Sequence, residues 1–80
     1  MADLRTIYAN RIVRDPGVMT GKPIVKGTRI TVELILTEIA AGTTSAQLLE
    51  AYPHLSEADI RAAVAYAADF LTGDEIRAAE

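Results

Sequence analysis

The sequence has 80 residues, no cysteine, one histidine and a net charge of −3, which limits it to one small domain without disulfides or thiolate metal sites. His54 alone cannot hold zinc, and no apolar run approaches the roughly 20 residues that a membrane-spanning helix needs. The first residues also lack the apolar core of a signal peptide, so we expect a cytoplasmic protein without a cofactor or metal.

Positive and negative charges are separated along the chain. Residues 1–30 carry six Arg or Lys and two Asp, a net charge of +4, whereas residues 31–80 carry two Arg and nine Asp or Glu, a net charge of −7. Such a division is typical of proteins that contact nucleic acid or an oppositely charged partner, although a small chain can also divide its charges by chance.

Two short β-branched runs predict a ribbon over about residues 10–31. Ile12-Val13-Arg14 is followed by Asp15-Pro16-Gly17, whose residue types suit a turn, and Ile24-Val25 can pair with the first run. We therefore expect these two strands to lie side by side.

The segment from Gly21 to Val32 concentrates residues with special backbone geometry. A phosphate loop would need Lys directly before Ser or Thr after its second glycine, whereas Gly27 is followed directly by Thr28, so a nucleotide site is not expected. Two tight turns around a short strand explain the glycines and the proline better. The residues to which we assign structural roles are Gly21, Pro23, Gly27, Thr28, Tyr52 and Pro53.

Three helices are predicted over about residues 32–72. Apolar residues recur at helical spacing in this range, and each helix begins with a capping pattern and ends at a residue that stops helices. The tail, residues 73–80, either extends the last helix or frays. The caps are Thr31, Thr44 with Gln47, and Ser56 with Asp59, and the stops are Gly42, Pro53 and Thr72-Gly73.

The second and third helices are joined through residues 52–55 and have the spacing of a helix-turn-helix, whose second helix usually enters the major groove of DNA. Its side chains suit phosphate and base edges poorly, because they offer one cation, one anion and three methyl groups. The candidate outward positions are Glu57, Ala58, Arg61, Ala62 and Ala65.

Basic residues of the ribbon are the stronger candidates for binding DNA or an acidic protein. The alternative is a solvated basic face without a ligand. Arg29 precedes the first helix of the predicted unit, and Glu33 lies four residues further on as a candidate partner for it. The candidate contact residues are Arg11, Arg14, Lys22, Lys26 and Arg29.

The remaining polar and aromatic residues favour structural roles. No nucleophile, base and orienting group converge in the sequence, so an enzyme is not expected. His54 is predicted to fill or cap a helix junction, and Tyr66 with Phe70 is predicted to form an aromatic core pair, with a surface for another chain as the alternative. The candidates for an oligomer seam are Leu4, Ile7, Tyr8 and Leu34.

The sequence contains the motifs Asp15-Pro16-Gly17, Gly21-Lys22-Pro23, Lys26-Gly27-Thr28-Arg29-Ile30, Ala41-Gly42 and Tyr52-Pro53-His54-Leu55, together with Asp59-Ile60 and Ala65-Tyr66-Ala67. From about Ile12 to Phe70 these motifs together resemble bacterial domain-of-unknown-function family 433. The resemblance implies a small protein with a homeodomain-like helical unit and the role of an antitoxin encoded beside a PIN-like ribonuclease toxin. It implies that the protein blocks the acidic metal-binding centre of the toxin and also binds its own operator DNA.

We therefore predict one mainly α domain over residues 1–80, in which a short β ribbon precedes a three-helix, homeodomain-like unit. The predicted function is that of an antitoxin of a type II toxin–antitoxin pair, acting as a homodimer or larger homo-oligomer. The alternative is a stand-alone DNA-binding transcriptional regulator, because the helix-turn-helix spacing and the basic amino-terminal third fit that role too.

Overall fold

The computed structural model describes residues 3–78, and it describes side chains as far as Thr72. It contains four helices and a two-stranded ribbon within that range, which confirms the mainly α prediction. No helix among the described residues is both long and apolar enough to cross a membrane. In chain order the elements are α1 (Leu4–Tyr8), β1 (Ile12–Arg14), β2 (Pro23–Val25), α2 (Val32–Ala40), α3 (Ser45–Ala51) and α4 (Glu57–Ala78).

The predicted ribbon is confirmed as an antiparallel pair. Ile12 lies opposite Val25, and Arg14 lies opposite Pro23, which begins β2. Between the strands the chain makes a short 3₁₀ turn over Met19–Gly21 and passes through positive φ at all three of those residues. The register directs Ile12 and Val25 into the core, because both are almost fully buried.

The three predicted caps are also confirmed. The Thr31 hydroxyl accepts a backbone N–H from the first turn of α2. Thr44 and Gln47 form a reciprocal capping box at the start of α3. Ser56 and Asp59 exchange the same pair of hydrogen bonds at the start of α4, at 3.0 and 3.2 Å. These local hydrogen bonds satisfy backbone donors that a helix start leaves free.

The core lies between the ribbon and the three longer helices. Its members are apolar side chains with little or no exposed area, and two alanines on α4 allow that helix to approach closely. The buried cluster consists of Ile12, Val25, Val32, Ile35, Leu48, Leu55, Ile60, Ala62 and Ala63.

The last helix is longer than predicted. It continues through Thr72-Gly73 and ends at Ala78, so the predicted stop is wrong. A glycine inside a helix costs only about 1 kcal/mol, which a helix already nucleated and packed upstream can absorb. Residues 73–78 of the predicted tail are therefore helical, whereas residues 79 and 80 lie outside the described part.

A short amino-terminal helix, α1, was not predicted. The Asp3 side chain caps it by accepting the backbone N–H of Arg5 at 3.1 Å, and the helix packs along α4. Of the residues proposed for an oligomer seam, Leu4 and Ile7 line an apolar hollow against α4, and Tyr8 packs against the core. These three side chains therefore make contacts within the chain.

Candidate partner-binding site

The turn after β2, residues 26–29, is held by several hydrogen bonds. The Thr28 hydroxyl donates to the carbonyl oxygen of Val25 at 2.8 Å and accepts the backbone N–H of Ile30 at 3.0 Å. The backbone N–H of Thr28 also donates to Val25, and that of Val25 donates to Ile30. Gly27 completes the turn with φ of +81°. Gly27 and Thr28 therefore set the backbone of the turn, as the sequence predicted.

Replacing Gly27 with alanine is expected to lower the free energy of unfolding by about 1 kcal/mol, since a Cβ is strained at positive φ. A Cβ there would meet nothing within 4 Å, so no clash adds to this cost. Urea unfolding followed by circular dichroism measures the change. The matched control is Gly17→Ala, because Gly17 has no positive φ and should tolerate a Cβ. Equal losses of unfolding free energy in the two variants would contradict the conclusion that Gly27 is needed for its positive φ.

Two cations, Lys26 and Arg29, flank this turn and are both exposed. Within the part of the chain whose side chains are described, neither forms an ion pair. They border a shallow cavity of about 500 Å³ on the outer side of the ribbon, which Asp15 also lines. A rigid turn thus holds two positive charges in solvent, an arrangement suited to a negatively charged partner.

The other three predicted contact residues lie against the helices. Arg11 donates to the Asp59 carboxylate at 3.1 Å, and Arg14 donates from Nε to the Tyr66 hydroxyl at 3.2 Å. Lys22 forms an ion pair with Glu33 at 2.9 Å, so the acid proposed as a partner for Arg29 pairs elsewhere. Three of the five predicted contact residues thus bond to helix side chains, whereas the described residues show no such contact for Lys26 or Arg29.

Asp59 connects the ribbon to the helical unit. One of its oxygens accepts the Ser56 backbone N–H in the cap of α4, and the other accepts from Arg11. The residue is buried, with 8% of its surface exposed, and this double role could not be recognised from the capping pattern alone.

The start of α4 does not present the surface that the helix-turn-helix spacing predicted. Ala62 and Ala65 are buried, at 0% and 4% exposure, so they are not outward positions. Their small side chains let α4 pack closely on the core. Glu57 and Arg61 are exposed there and Ala58 is half-buried, which leaves one acid and one base at the point where DNA would be read.

Comparison with known proteins places this arrangement in a family. Residues 12–67, from β1 well into α4, match the family described as "Protein of unknown function (DUF433)". The chain belongs to the DUF433 family. A crystal structure of a DUF433 member protein from Anabaena variabilis has a TM-score of 0.75 and 28% identity, over 94% of this chain and 74% of that one.

A curated protein is also similar to this chain. The chain is 38% identical over 56 residues to "Uncharacterized protein y4eO" of Sinorhizobium fredii. The match covers 70% of this chain and spans about a quarter of the length of that relative, 25%. The DUF433 match includes the turn with Lys26 and Arg29, whereas α1 and the residues after Ala67 lie outside it.

An aromatic pair that was not predicted from the sequence joins α1 to α4. The rings of Tyr8 and Tyr66 meet edge to face, with centroids 5.2 Å apart, and the Tyr8 hydroxyl donates to Asp69 at 2.6 Å. The predicted core pair of Tyr66 with Phe70 is wrong for Phe70, which is 64% exposed. Leu4, Ile7 and Tyr8 have the spacing of one helix face, so the sequence contained a signal that could have predicted α1.

The Tyr8 hydroxyl gives this DUF433 protein a stabilisation that is lost at high pH. The hydrogen bond to Asp69, followed by burial, raises the pKa of the Tyr8 hydroxyl above its ordinary value of 10.0. Because the folded-state pKa is the higher one, this stabilisation is complete below pH 10 and is lost as the pH rises through the folded-state value. We expect Tyr8→Phe to lower the melting temperature near neutral pH. The difference in melting temperature between this variant and the wild type should narrow above about pH 10.

The control for this measurement is Tyr52→Phe. Tyr52 is half-buried against the core, and its hydroxyl makes no side-chain hydrogen bond among the described residues. A gap between Tyr8→Phe and the wild type that stayed constant up to strongly alkaline pH would contradict the assigned hydrogen bond.

The connection between α3 and α4 contains the one histidine. Tyr52 accepts the backbone N–H of Leu55 at 2.9 Å, which closes a turn containing Pro53 and His54. His54 is exposed, so the prediction that it fills the junction is wrong, and Leu55 is buried there instead. Within the described residues, no group of three or more His, Cys, Asp or Glu is arranged to hold a metal.

Proposed function

We propose that this protein is the non-enzymatic antitoxin of a type II toxin–antitoxin pair and that it binds and neutralises a PIN-like ribonuclease toxin. The observation that carries the proposal is the pair of exposed cations, Lys26 and Arg29, on the hydrogen-bonded turn of residues 26–29. The family resemblance supplies the class of partner, and the turn supplies a surface that matches the chemistry of that partner.

The chemistry of such a nuclease favours this surface. A metal-dependent nuclease centre concentrates carboxylates, so two cations entering it would replace the charge of the metal and occupy the place of the substrate. A turn already fixed by Thr28 loses little conformational freedom on binding, which lowers the cost of association. Lys26 and Arg29 would therefore act as the inserted residues.

Operator DNA is a second candidate ligand for the same turn. Phosphates also attract paired cations, whereas the exposed acid Glu57 at the start of α4 opposes contact of that helix with DNA. Binding through the turn would be sequence-tolerant and would weaken steeply with salt. A titration of operator DNA at several salt concentrations tests this candidate. Affinity that did not change with salt would argue against binding of phosphates by the turn.

Co-expression with the product of the adjacent open reading frame tests the proposal. We expect a stable heteromeric complex in size-exclusion chromatography with light scattering, and loss of the ribonuclease activity that the partner has alone. Recovery of this chain without a partner, together with failure to rescue growth against the product of the neighbouring gene, would overturn the proposal.

A further inference from the structure

The ribbon carries a second apolar patch on the face turned away from the core. Ile12 and Val25 lie opposite each other and belong to the core cluster. The next pair is Val13 with Ile24, and because side chains alternate along a strand, this pair points to the other face. Ile24 is only 3% exposed although it lies outside the core cluster. The outer face of the ribbon is therefore a separate apolar surface.

The cavity of about 500 Å³ beside the turn of residues 26–29 lies on this face, and we call it the ribbon cavity. Val13, Val18 and Ile24 line it. Val13 and Val18 are half-buried, so part of each valine remains in contact with water. An apolar side chain that covered the two valines would remove this surface from water, which is favourable. The ribbon cavity therefore offers a partner an apolar contact beside the charges of the turn.

The charged residues that line the ribbon cavity have an excess of one positive charge. Lys26 and Arg29 line it, and neither forms an ion pair with a side chain that the structure describes. Asp15 also lines it, but its Oδ1 accepts the backbone N–H of Gly17 at 2.9 Å, and it pairs with neither cation. Both cations are therefore available to a carboxylate that approaches the cavity.

A ligand that matches both properties carries negative charge next to an apolar side chain. The backbone of DNA supplies the negative charge without the apolar side chain, so binding to it would leave Val13 and Val18 in water. A protein segment can supply both, because acidic and apolar residues can be neighbours in one chain. The combination of valines and cations thus favours an acidic protein segment over nucleic acid.

We infer that the ribbon cavity binds an acidic protein segment in which an apolar side chain lies between carboxylates. The apolar side chain covers Val13 and Val18, and the carboxylates pair with Lys26 and Arg29. The inference rests on the proposed function, because it specifies the surface of the toxin that the turn would meet. It adds that an apolar residue of the partner is recognised together with the charge.

A nuclear magnetic resonance titration of the isotope-labelled protein with synthetic peptides tests the inference without the toxin. The probe is a peptide with blocked ends in which one leucine is flanked by two glutamates on each side. We expect saturable shifts at the ribbon cavity, with a dissociation constant below about 1 mM. Replacing the leucine with alanine should weaken binding at least about 5-fold. This ratio should be the same at low and moderate salt, because salt screens charges and not the burial of apolar surface.

Val13→Thr replaces a methyl group with a hydroxyl and should weaken binding of the leucine peptide about 3-fold. Val18→Thr is a second variant with the same expected direction. The matched control is Val64→Thr, because Val64 is an exposed valine of α4 that lies outside the ribbon cavity. The inference would be overturned by an absence of saturable shifts at the ribbon cavity, by equal affinity for the leucine and alanine peptides, or by an equal loss in Val64→Thr. Displacement of the peptide by a short DNA duplex of higher affinity would also overturn it.

The peptide titration and the toxin experiment fail separately. If the peptides bind as expected and no toxin is neutralised, the ribbon cavity remains a site for acidic segments and the antitoxin role is wrong. If a toxin is neutralised and the leucine and alanine peptides bind equally, the inference is wrong and the proposed function stands.

Discussion

Changing both Lys26 and Arg29 to glutamate is expected to reduce binding of the proposed toxin partner at least about 100-fold, because close charge pairs at interfaces contribute several kcal/mol and the variant replaces attraction with repulsion. The fold should not change, since both side chains are exposed and neither forms an ion pair within the described residues. Surface plasmon resonance with the co-purified partner measures the affinity, and circular dichroism checks the fold.

The control for this prediction is the double change of Arg5 and Arg61 to glutamate. Both arginines are exposed, and their replacement alters the net charge by the same amount at positions outside the turn. If the control lost as much affinity as the Lys26 and Arg29 variant, general charge attraction would explain binding, and the turn would not be the site.

Asp59→Ala is expected to cost about 2 to 3 kcal/mol of stability, since it removes both the cap of α4 and the hydrogen-bonded partner of Arg11. For a domain of this size, the melting temperature should fall by about 10 to 20 °C. Thermal unfolding followed by circular dichroism measures the shift. The loss should exceed that of an ordinary cap, because the same carboxylate also holds the ribbon.

Glu57→Ala provides the comparison. Glu57 is also an acid in the first turn of α4, but it is exposed. Its removal should change stability by less than about 0.5 kcal/mol. Similar losses in the two variants would show that acidity in the first turn, rather than the contacts of Asp59, stabilises the helix.

The local features of this fold could be predicted because short-range signals determine them. The β-branched runs specified both strands, and each cap depends on residues no more than three positions apart. The end of α4 was predicted too early, because a single glycine such as Gly73 costs too little to stop a helix that is already packed upstream. The missed helix α1 has five residues and none of them is buried, so its spacing signal was short.

The division of the basic residues could not be predicted from sequence. Whether Arg11 or Arg14 is available depends on Asp59 and Tyr66, which follow them by 48 and 52 residues. Such contacts arise only once α4 has packed on the ribbon. The same packing buried Ala62, because an alanine-rich helix does not show from its own sequence which of its small residues will face the core. The turn itself was identified from its glycine and its cations.

Two contacts join the ribbon to α4, one made by Arg11 just before β1 and one by Arg14 within β1. Their partners are Asp59 and Tyr66, so these contacts couple the position of the ribbon, and of the turn that extends from it, to α4. Any change that displaced α4 from the ribbon would therefore alter the affinity of the turn for an acidic ligand. By thermodynamic linkage, a ligand whose affinity for the turn depends on that packing would shift the packing equilibrium by the same factor.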